Sequence, residues 1–179
     1  LCLGPCDITV MEMVSAYTAF ANRGIRCAPM FVSRIEDNEG NVIARFEPQI
    51  SEVISEESAY KMLVLLQGVI DGGTGGRIRY RYDITAEMGG KTGTTNRNSD
   101  AWFMAVTPSL VSGCWVGGED RDIHFDSMAW GQGATMALPI YAYFIKKVYR
   151  DGMLPYRQDE KFDIPADFNP CHKADADDF

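Results

Sequence analysis

The sequence predicts a mixed α/β fold of the α+β type, in which an antiparallel sheet is combined with separate helices. Apolar residues recur at helical spacing in three segments, at about residues 10–22, 56–70 and 135–150. β-Branched and aromatic residues are frequent in three further segments, residues 91–95, 102–106 and 110–116. Because short connections join these three segments, we expect them to pair as neighbouring antiparallel strands.

Length and charge limit the possible functions. The chain has 179 residues and is 46% hydrophobic, which is sufficient for one domain with an apolar core. The net charge of −8 argues against nucleic acid as a partner. No apolar stretch approaches the ~18 residues that a membrane span requires. The chain begins Leu-Cys-Leu-Gly-Pro-Cys, without Met or a leader, so we expect a piece cut from a longer polypeptide.

The first helix has a start signal and a stop signal. Thr9 and Glu12 form a Thr-x-x-Glu capping box ahead of the apolar run. Gly24 stands where a helix commonly ends in left-handed backbone. Two strands are predicted next, Pro29–Ile35 and Asn41–Phe46, separated by a polar turn.

Ser55 is expected to cap the second helix. Five apolar residues should form the buried face of this helix: Ala59, Met62, Leu63, Leu66 and Ile70. Strict alternation in Arg77–Tyr82 then predicts a short exposed strand. Its arginines are expected on a solvated face, or alternatively in contact with anionic glycan or lipid head groups: Arg77, Arg79 and Arg81. The last helix should bury five residues: Leu138, Tyr141, Ile145, Val148 and Tyr149.

The C-terminal tail and the cysteines carry weaker signals. Residues 151–179 contain eight acidic residues, three basic ones and three prolines, so we expect an extended and partly disordered tail. The five cysteines are either isolated thiols or include a disulfide from Cys171 to Cys2, Cys6 or Cys27. No metal site is expected, because zinc needs about four convergent ligands and the sequence has only two histidines.

The segment Gly89–Thr95, Gly-Gly-Lys-Thr-Gly-Thr-Thr, carries the strongest chemical signal. A phosphate-binding P-loop would need a glycine at position 85 and a helix after the lysine. Thr85 occupies that position, and the residues after Lys91 favour a strand. The alternative is the Lys-Thr-Gly strand of a serine acyl-transfer site.

Each residue of the segment Lys91–Thr94 can serve a chemical role in such a site. Lys91 is a candidate catalytic and substrate-binding residue: its cation attracts a substrate carboxylate and can hold the proton network of a neighbouring hydroxyl. The Thr92 hydroxyl can donate to the same carboxylate. Gly93 has no Cβ, which lets a substrate lie close to the backbone. The main-chain N–H of Thr94 can stabilise an oxyanion, while its hydroxyl can also reach the carboxylate.

The order of motifs resembles the C-terminal part of the transpeptidase domain of class A (bifunctional) penicillin-binding proteins. The resemblance covers about residues 4–148. The matching residues are Thr9–Met13, Ala16 and Tyr17, Phe20–Asn22 with Gly24, Leu66, Gly68 and Val69, Gly73–Gly75, Gly90–Asn96, Asp100–Phe103, and Trp115–Gly117.

This resemblance implies a β-lactamase/transpeptidase-like fold, an antiparallel sheet flanked by helices, of which the chain holds only the C-terminal portion. Residues 1–150 would belong to the transpeptidase domain, and residues 151–179 would form the acidic tail. The Lys-Thr-Gly strand would line the active-site cleft. The implied reaction is peptidoglycan crosslinking: an active-site serine attacks a D-Ala-D-Ala stem peptide, and an amine of a second stem peptide resolves the acyl-enzyme.

The resemblance also implies partners and a location. The partners would be peptidoglycan stem peptides, β-lactam antibiotics and the remainder of the same transpeptidase domain, with no cofactor. The parent would carry a glycosyltransferase domain as well. It would lie in the bacterial periplasm at the inner membrane, anchored by a segment outside this chain.

The sequence departs from the family pattern at the nucleophile. It contains no Ser-x-Asn, and its one Ser-x-x-Lys, Ser58–Lys61, lies in the helix that precedes Gly-Thr-Gly. We therefore expect that Ser58 is not the nucleophile and that the piece alone cannot be acylated. A different class of function is a non-catalytic peptide- or partner-binding module of the same fold, which would use the edge strand 91–95 for strand pairing.

The remaining singled-out residues have structural interpretations. Trp102 and Phe103 are expected in the core, with a substrate platform as the alternative. Asp100 should stabilise the turn that leaves the active-site strand, and His124 should be a loop residue rather than a base.

Overall fold

The computed structural model describes residues 6–166 and 168–170. These residues form five α-helices: α1 (Val10–Ala21), α2 (Glu56–Asp71), α3 (Arg77–Tyr80), α4 (Met128–Gly131) and α5 (Ala137–Arg150). A short 3₁₀ helix spans Asn96–Asn98. They also form seven strands: β1 (Ile25–Cys27), β2 (Arg34–Glu36), β3 (Val42–Arg45), β4 (Ile50–Glu52), β5 (Gly89–Thr94), β6 (Asp100–Val106) and β7 (Val111–Gly117).

The main sheet is antiparallel, with the strand order β5-β6-β7, and β5 lies at its edge. The register places Lys91 opposite Met104 and Gly93 opposite Trp102. The prediction of three neighbouring antiparallel strands is therefore confirmed. Two small antiparallel sheets, β1-β4 and β2-β3, lie between α1 and α2 in the chain.

Helices cover both faces of the main sheet. On the face that bears Lys91, a Cβ added at Gly113 would lie 3.0 Å from the Val14 side chain, so α1 packs there. On the opposite face, the Phe103 ring packs against Tyr141 of α5, with ring centroids 5.2 Å apart. The predicted antiparallel sheet flanked by helices is therefore confirmed, and β5 is an edge strand of that sheet.

Local signals determine the three long helices. The Thr9–Glu12 capping box is formed at the start of α1, and Gly24 adopts a φ of +91° after its end. Ser55 caps α2 by accepting from the Ser58 N–H. In α5, four of the five predicted inward residues are buried, and Tyr149 is partly buried.

The prediction of a strand at Arg77–Tyr82 is wrong, because residues 77–80 form a helical turn. Ile78 and Tyr82 are both buried, and their spacing of four residues is helical rather than alternating. The Arg79 guanidinium donates to the carbonyls of Ile84 and Ala86 at 2.8 and 2.7 Å and pairs with Asp71. Arg79 thus supports the chain before β5 rather than forming part of a solvated face.

Two further predictions need correction. The strand expected at Pro29–Ile35 forms only over Arg34–Glu36, where it pairs with β3. On α2, Met62 is 38% exposed and Tyr60 is buried in its place. The Tyr60 hydroxyl donates to Glu56 and its ring packs against Phe168, so the tail provides the cover that helical spacing could not reveal.

The described part of the tail has turns but no helix or strand. It is nevertheless packed: Phe162 and Ile164 lie against the cluster that contains Leu63 and Leu66. Cys6, Cys27 and Cys114 carry free thiols. The other two cysteines, Cys2 and Cys171, lie outside the described residues, as does the end of the tail.

Candidate active site

The open edge of β5 presents main-chain groups to solvent. The Thr95 N–H donates to the Asp100 carbonyl across the sheet at 3.1 Å. Because N–H groups alternate in direction along a strand, the N–H of Thr94 points away from β6 toward the open edge. This is the orientation that an oxyanion donor requires.

Lys91 brings a cation to the same edge. Its side chain lies on the α1 face, is exposed, and donates from Nζ to the Thr92 carbonyl oxygen at 2.6 Å. A groove of about 280 Å³ runs along this strand. It is lined by Cys6, Ile8, Met13, Tyr17, Lys91, Thr92, Gly93, Thr94, Thr95, Trp102 and Met104. The ammonium of Lys91 and the N–H of Thr94 therefore border one groove.

The hydroxyls of Thr92 and Thr94 contact protein groups on the face of β5 opposite Lys91. The Oγ1 of Thr92 lies 2.6 Å from the Oγ1 of Thr74 in the loop after α2. The Oγ1 of Thr94 accepts from the N–H of Gly133 at 3.1 Å. Side chains alternate between the two faces of a strand, so neither hydroxyl projects on the Lys91 face. Lys91 and the Thr94 N–H are thus brought together, whereas the hydroxyls have protein partners.

Gly93 and Trp102 form the middle of the groove. A Cβ added at Gly93 would lie 3.0 Å from the Cβ of Trp102, which leaves little space for any side chain. Trp102 is partly buried and lines the groove, so the expectation that it belongs to the core is wrong. The same expectation is confirmed for Phe103, which is 0% exposed. The two differ because adjacent strand residues face opposite sides of the sheet.

A second groove of about 320 Å³ continues from the first. The two grooves share Cys6, Ile8, Thr95 and Trp102, and the second adds Asp7, Thr9, Val10, Asp100 and Trp115. Sequence reasoning missed Trp115, which lies opposite Trp102 in the sheet. It also missed Met13 and Tyr17, whose spacing of four residues on α1 was the available signal.

Asp100 fixes the turn between β5 and β6, as expected. Its carboxylate accepts from the Thr95 hydroxyl at 2.8 Å, the Trp115 indole N–H at 2.9 Å and the Ser99 hydroxyl at 3.2 Å. Partial burial would raise the pKa of this carboxyl, but these hydrogen bonds prevail and lower it. Asp100 therefore remains ionised and holds the end of the Lys91 strand.

The family of the chain follows from its sequence. Residues 2–112 match the model of the penicillin-binding protein transpeptidase domain. The chain belongs to this family. Penicillin-binding protein 1A of Aquifex aeolicus is 34% identical over 167 residues, which cover 93% of this chain and 22% of that protein. For penicillin-binding protein 1A of Neisseria lactamica, the identity is 32%, over 82% of this chain and 18% of the relative.

Solved structures share the fold of this transpeptidase-family chain. Penicillin-binding protein 1A from Haemophilus influenzae matches with a TM-score of 0.72 and 26% identity, over 87% of this chain and 28% of that one. PonA1 from Mycobacterium tuberculosis in complex with penicillin V matches with a TM-score of 0.69 and 24% identity, over 89% of this chain and 42% of that one. The predicted β-lactamase/transpeptidase-like fold is thereby confirmed, and the P-loop alternative is wrong because Gly89–Thr94 is an extended strand.

The chain corresponds to the C-terminal part of a class A transpeptidase domain and spans about a fifth of the length of these curated relatives. Ser58 does not line either groove; its Oγ lies 2.9 Å from that of Ser55 at the start of α2. Lys61 forms an ion pair with Glu57. Neither Ser58 nor Lys61 therefore lines the groove that contains Lys91.

Within residues 6–166 and 168–170, no three metal-binding side chains converge. None of the helices in this part of the chain has the length and hydropathy of a bilayer span. His124 is an exposed loop residue that lines a cavity of about 350 Å³ beside Asn98 and Ser99, away from the Lys91 groove.

Proposed function

We propose that this chain supplies the substrate-gripping part of a serine-type D,D-transpeptidase that crosslinks peptidoglycan. The carrying observation is that the Lys91 ammonium and the Thr94 N–H border one groove at an open strand edge. Membership of the penicillin-binding transpeptidase family supports the reaction class. Lys91 attracts the terminal carboxylate of a D-Ala-D-Ala stem peptide, and Thr94 stabilises the oxyanion.

The proposed reaction has two acyl-transfer steps. A serine oxygen attacks the penultimate D-alanyl carbonyl, an oxyanion forms, and the C–N bond breaks so that D-alanine leaves with a proton on its nitrogen. The peptide remains on the serine as an ester. An amine of a second stem peptide then attacks this ester, forms the crosslinking amide and returns the proton to the serine. A β-lactam follows the first step only, which traps the enzyme.

The nucleophile is proposed to come from the remainder of the same transpeptidase domain. This sequence has no Ser-x-Asn, and its one Ser-x-x-Lys contacts neither groove. Residues 1–150 are proposed to belong to the transpeptidase domain, with 151–179 as its acidic tail. The parent is proposed to carry a glycosyltransferase domain and to be anchored at the periplasmic face of the inner membrane. The proposed acyl transfer uses no cofactor.

Labelling with a fluorescent penicillin tests the function. In the full-length parent, we expect a covalent band, and the Lys91→Ala variant should be acylated about 10- to 100-fold more slowly because a charged hydrogen-bonding partner is lost. Lys147→Ala, on the exposed side of α5, is the matched control and should label at the wild-type rate. A parent that is folded but unlabelled would contradict the proposal.

The isolated chain gives the complementary test. We expect no covalent band from residues 1–179 alone, because the nucleophile is absent. A band that disappears in Ser58→Ala would identify Ser58 as a nucleophile and refute the proposed division of the site.

The open edge of β5 also favours a second candidate, a non-catalytic module that binds peptides by strand pairing. The two functions differ in what they recognise. A transpeptidase site requires the free D-alanine carboxylate, whereas strand pairing uses the peptide backbone. Equal binding of a stem peptide and its C-terminal amide would favour the module, and loss of binding by the amide would favour the transpeptidase.

A further inference from the structure

We propose that Gly133, in the segment between β7 and α5, is a positioning residue for Thr94. Its N–H holds the Thr94 side chain, and its missing side chain lets the segment lie directly on the β5-β6 pair. The proposal rests on the proposed transpeptidase function, because it concerns the strand that would stabilise the oxyanion.

The contact between Gly133 and the strand is close. The Gly133 N–H donates to Thr94 Oγ1 at 3.1 Å, and Gly133 is buried. A Cβ added at Gly133 would lie 2.3 Å from the Trp102 carbonyl oxygen and 2.5 Å from that of Gly93. Both atoms are backbone atoms of the paired strands, so no side-chain rotation could relieve the clash. Any residue other than glycine would have to displace β5 or the segment itself.

Anchors on both sides hold Gly133 in place. The carbonyl of Gly133 accepts from the Leu138 N–H at 2.9 Å, which ties it to the first turn of α5. Before it in the chain, the Asn98 side-chain amide donates to the Phe125 carbonyl at 3.0 Å. After it, the Arg77 guanidinium donates to the Ala134 carbonyl at 3.2 Å. Gly133 therefore links the first turn of α5 to the Thr94 side chain, through its carbonyl on one side and its N–H on the other.

This contact has two consequences for Thr94. Since Thr94 Oγ1 accepts from the Gly133 N–H, its own hydrogen must point elsewhere and remains available to donate. Holding the side chain also limits movement of the Thr94 backbone, whose N–H faces the open edge. An error of about 1 Å in the position of such a group can cost about 100-fold in rate.

The test uses the full-length parent and the rate of acylation by a fluorescent penicillin, measured over a concentration series. This series separates the affinity of the non-covalent complex from the acylation rate constant. Gly133→Ala is expected to lower the rate constant about 10- to 100-fold. Gly152→Ala, where an added Cβ meets open space, should leave it unchanged.

Gly24→Ala is the control for destabilisation by a clash. Its added Cβ would lie 2.1 Å from the Ile54 carbonyl oxygen, and Gly24 lines neither groove. We expect a lower melting temperature but the wild-type rate constant in the folded protein. If Gly133→Ala behaves like Gly24→Ala, the positioning role is refuted.

Thr94 variants test the same contact without adding atoms at Gly133. Thr94→Ser keeps the hydroxyl and should retain most of the rate, whereas Thr94→Val should lose about as much as Gly133→Ala. The double variant Gly133→Ala/Thr94→Val should be no slower than the slower single variant, because both remove one interaction. A wild-type rate in Thr94→Val, or strictly additive losses, would overturn the inference. Failure of the wild-type parent to label would instead refute the proposed function.

Discussion

Asp100 illustrates how one residue stabilises the candidate site. Three donors surround its carboxylate, and they come from the β5-β6 turn and from β7: Thr95, Ser99 and Trp115. The lowered pKa of this carboxyl means that folding favours its ionised form. The end of the Lys91 strand is therefore held by charge-assisted hydrogen bonds.

The stability of the transpeptidase domain should consequently depend on pH through Asp100. Because the pKa of Asp100 in the folded state lies below its ordinary value of 3.8, the stabilisation is present above about pH 4 and is lost as the pH falls through the folded-state pKa. Asp100→Asn should lower the free energy of unfolding by about 1–2 kcal/mol at pH 7. The difference from wild type should shrink toward pH 3 in denaturant titrations. Asp159→Asn, on the exposed tail, is the control; a difference independent of pH would contradict the assignment.

The residues of the Lys-Thr-Gly strand could be predicted from sequence, but their surroundings could not. Lys91 and Thr94 belong to a short contiguous motif whose chemistry is readable locally. Trp115 and Gly133 reach the site from other elements, and only the sheet register and the course of the β7–α5 segment bring them there. Trp102 was misplaced because large aromatic residues occur in cores and in grooves alike.

At the scale of elements, α1 forms one wall of the groove through Met13 and Tyr17. Its start depends on the reciprocal capping box, in which Thr9 Oγ1 accepts from the Glu12 N–H at 3.2 Å and the Thr9 N–H donates to the Glu12 carboxylate at 2.9 Å. The sequence Thr9–Glu12 alone therefore predicts where the helix that forms this wall begins.

Thr9→Ala should lower the free energy of unfolding by about 1 kcal/mol, because it leaves helix N–H groups without a side-chain acceptor. Thr9→Ser, which retains the hydroxyl, should lie close to wild type. Thermal unfolding of both variants measures the difference. Equal loss in the two variants would show that the methyl group, rather than the cap, is responsible.

Local signals explain which elements were predicted correctly. α1, α2 and β5–β7 each carry a cap, a period or a short connection in their own sequence. β1 and β4 were missed because each has three residues, and the paired residues lie far apart in the chain, at register positions such as Ile25 with Glu52 and Cys27 with Ile50. α3 was misread because an alternating run of six residues also fits one helical turn.

At the scale of the whole molecule, the tail crosses over elements that are distant in sequence. Phe162 and Ile164 pack beside Leu63 and Leu66 of α2. Ion pairs of Arg23 with Asp163 and of Glu87 with Lys161 lie along the same path. The acidic composition predicts an extended chain but does not predict this packing. Phe162 and Ile164 are isolated apolar residues, so they do not form the helical or alternating pattern from which burial can be predicted.

The tail should therefore contribute to stability. Phe162→Ala is expected to lower the free energy of unfolding of the transpeptidase domain by about 1–3 kcal/mol, because its ring covers the apolar surface of α2. Met153→Ala is the matched control on the same tail, since Met153 is 93% exposed. Thermal unfolding of the two variants gives the comparison. Equal stability of Phe162→Ala and wild type would show that the tail only rests on the surface.

In the proposed transpeptidase, the open edge of β5 receives the acyl group of the substrate. A crystal structure of the full-length parent acylated by penicillin would place this group relative to the strand. We expect the acyl carbonyl oxygen within hydrogen-bond distance of the Thr94 N–H and the carboxylate of the antibiotic beside Lys91. An acyl group attached elsewhere, with its carbonyl oxygen making no contact to residues 91–94, would contradict this role of β5.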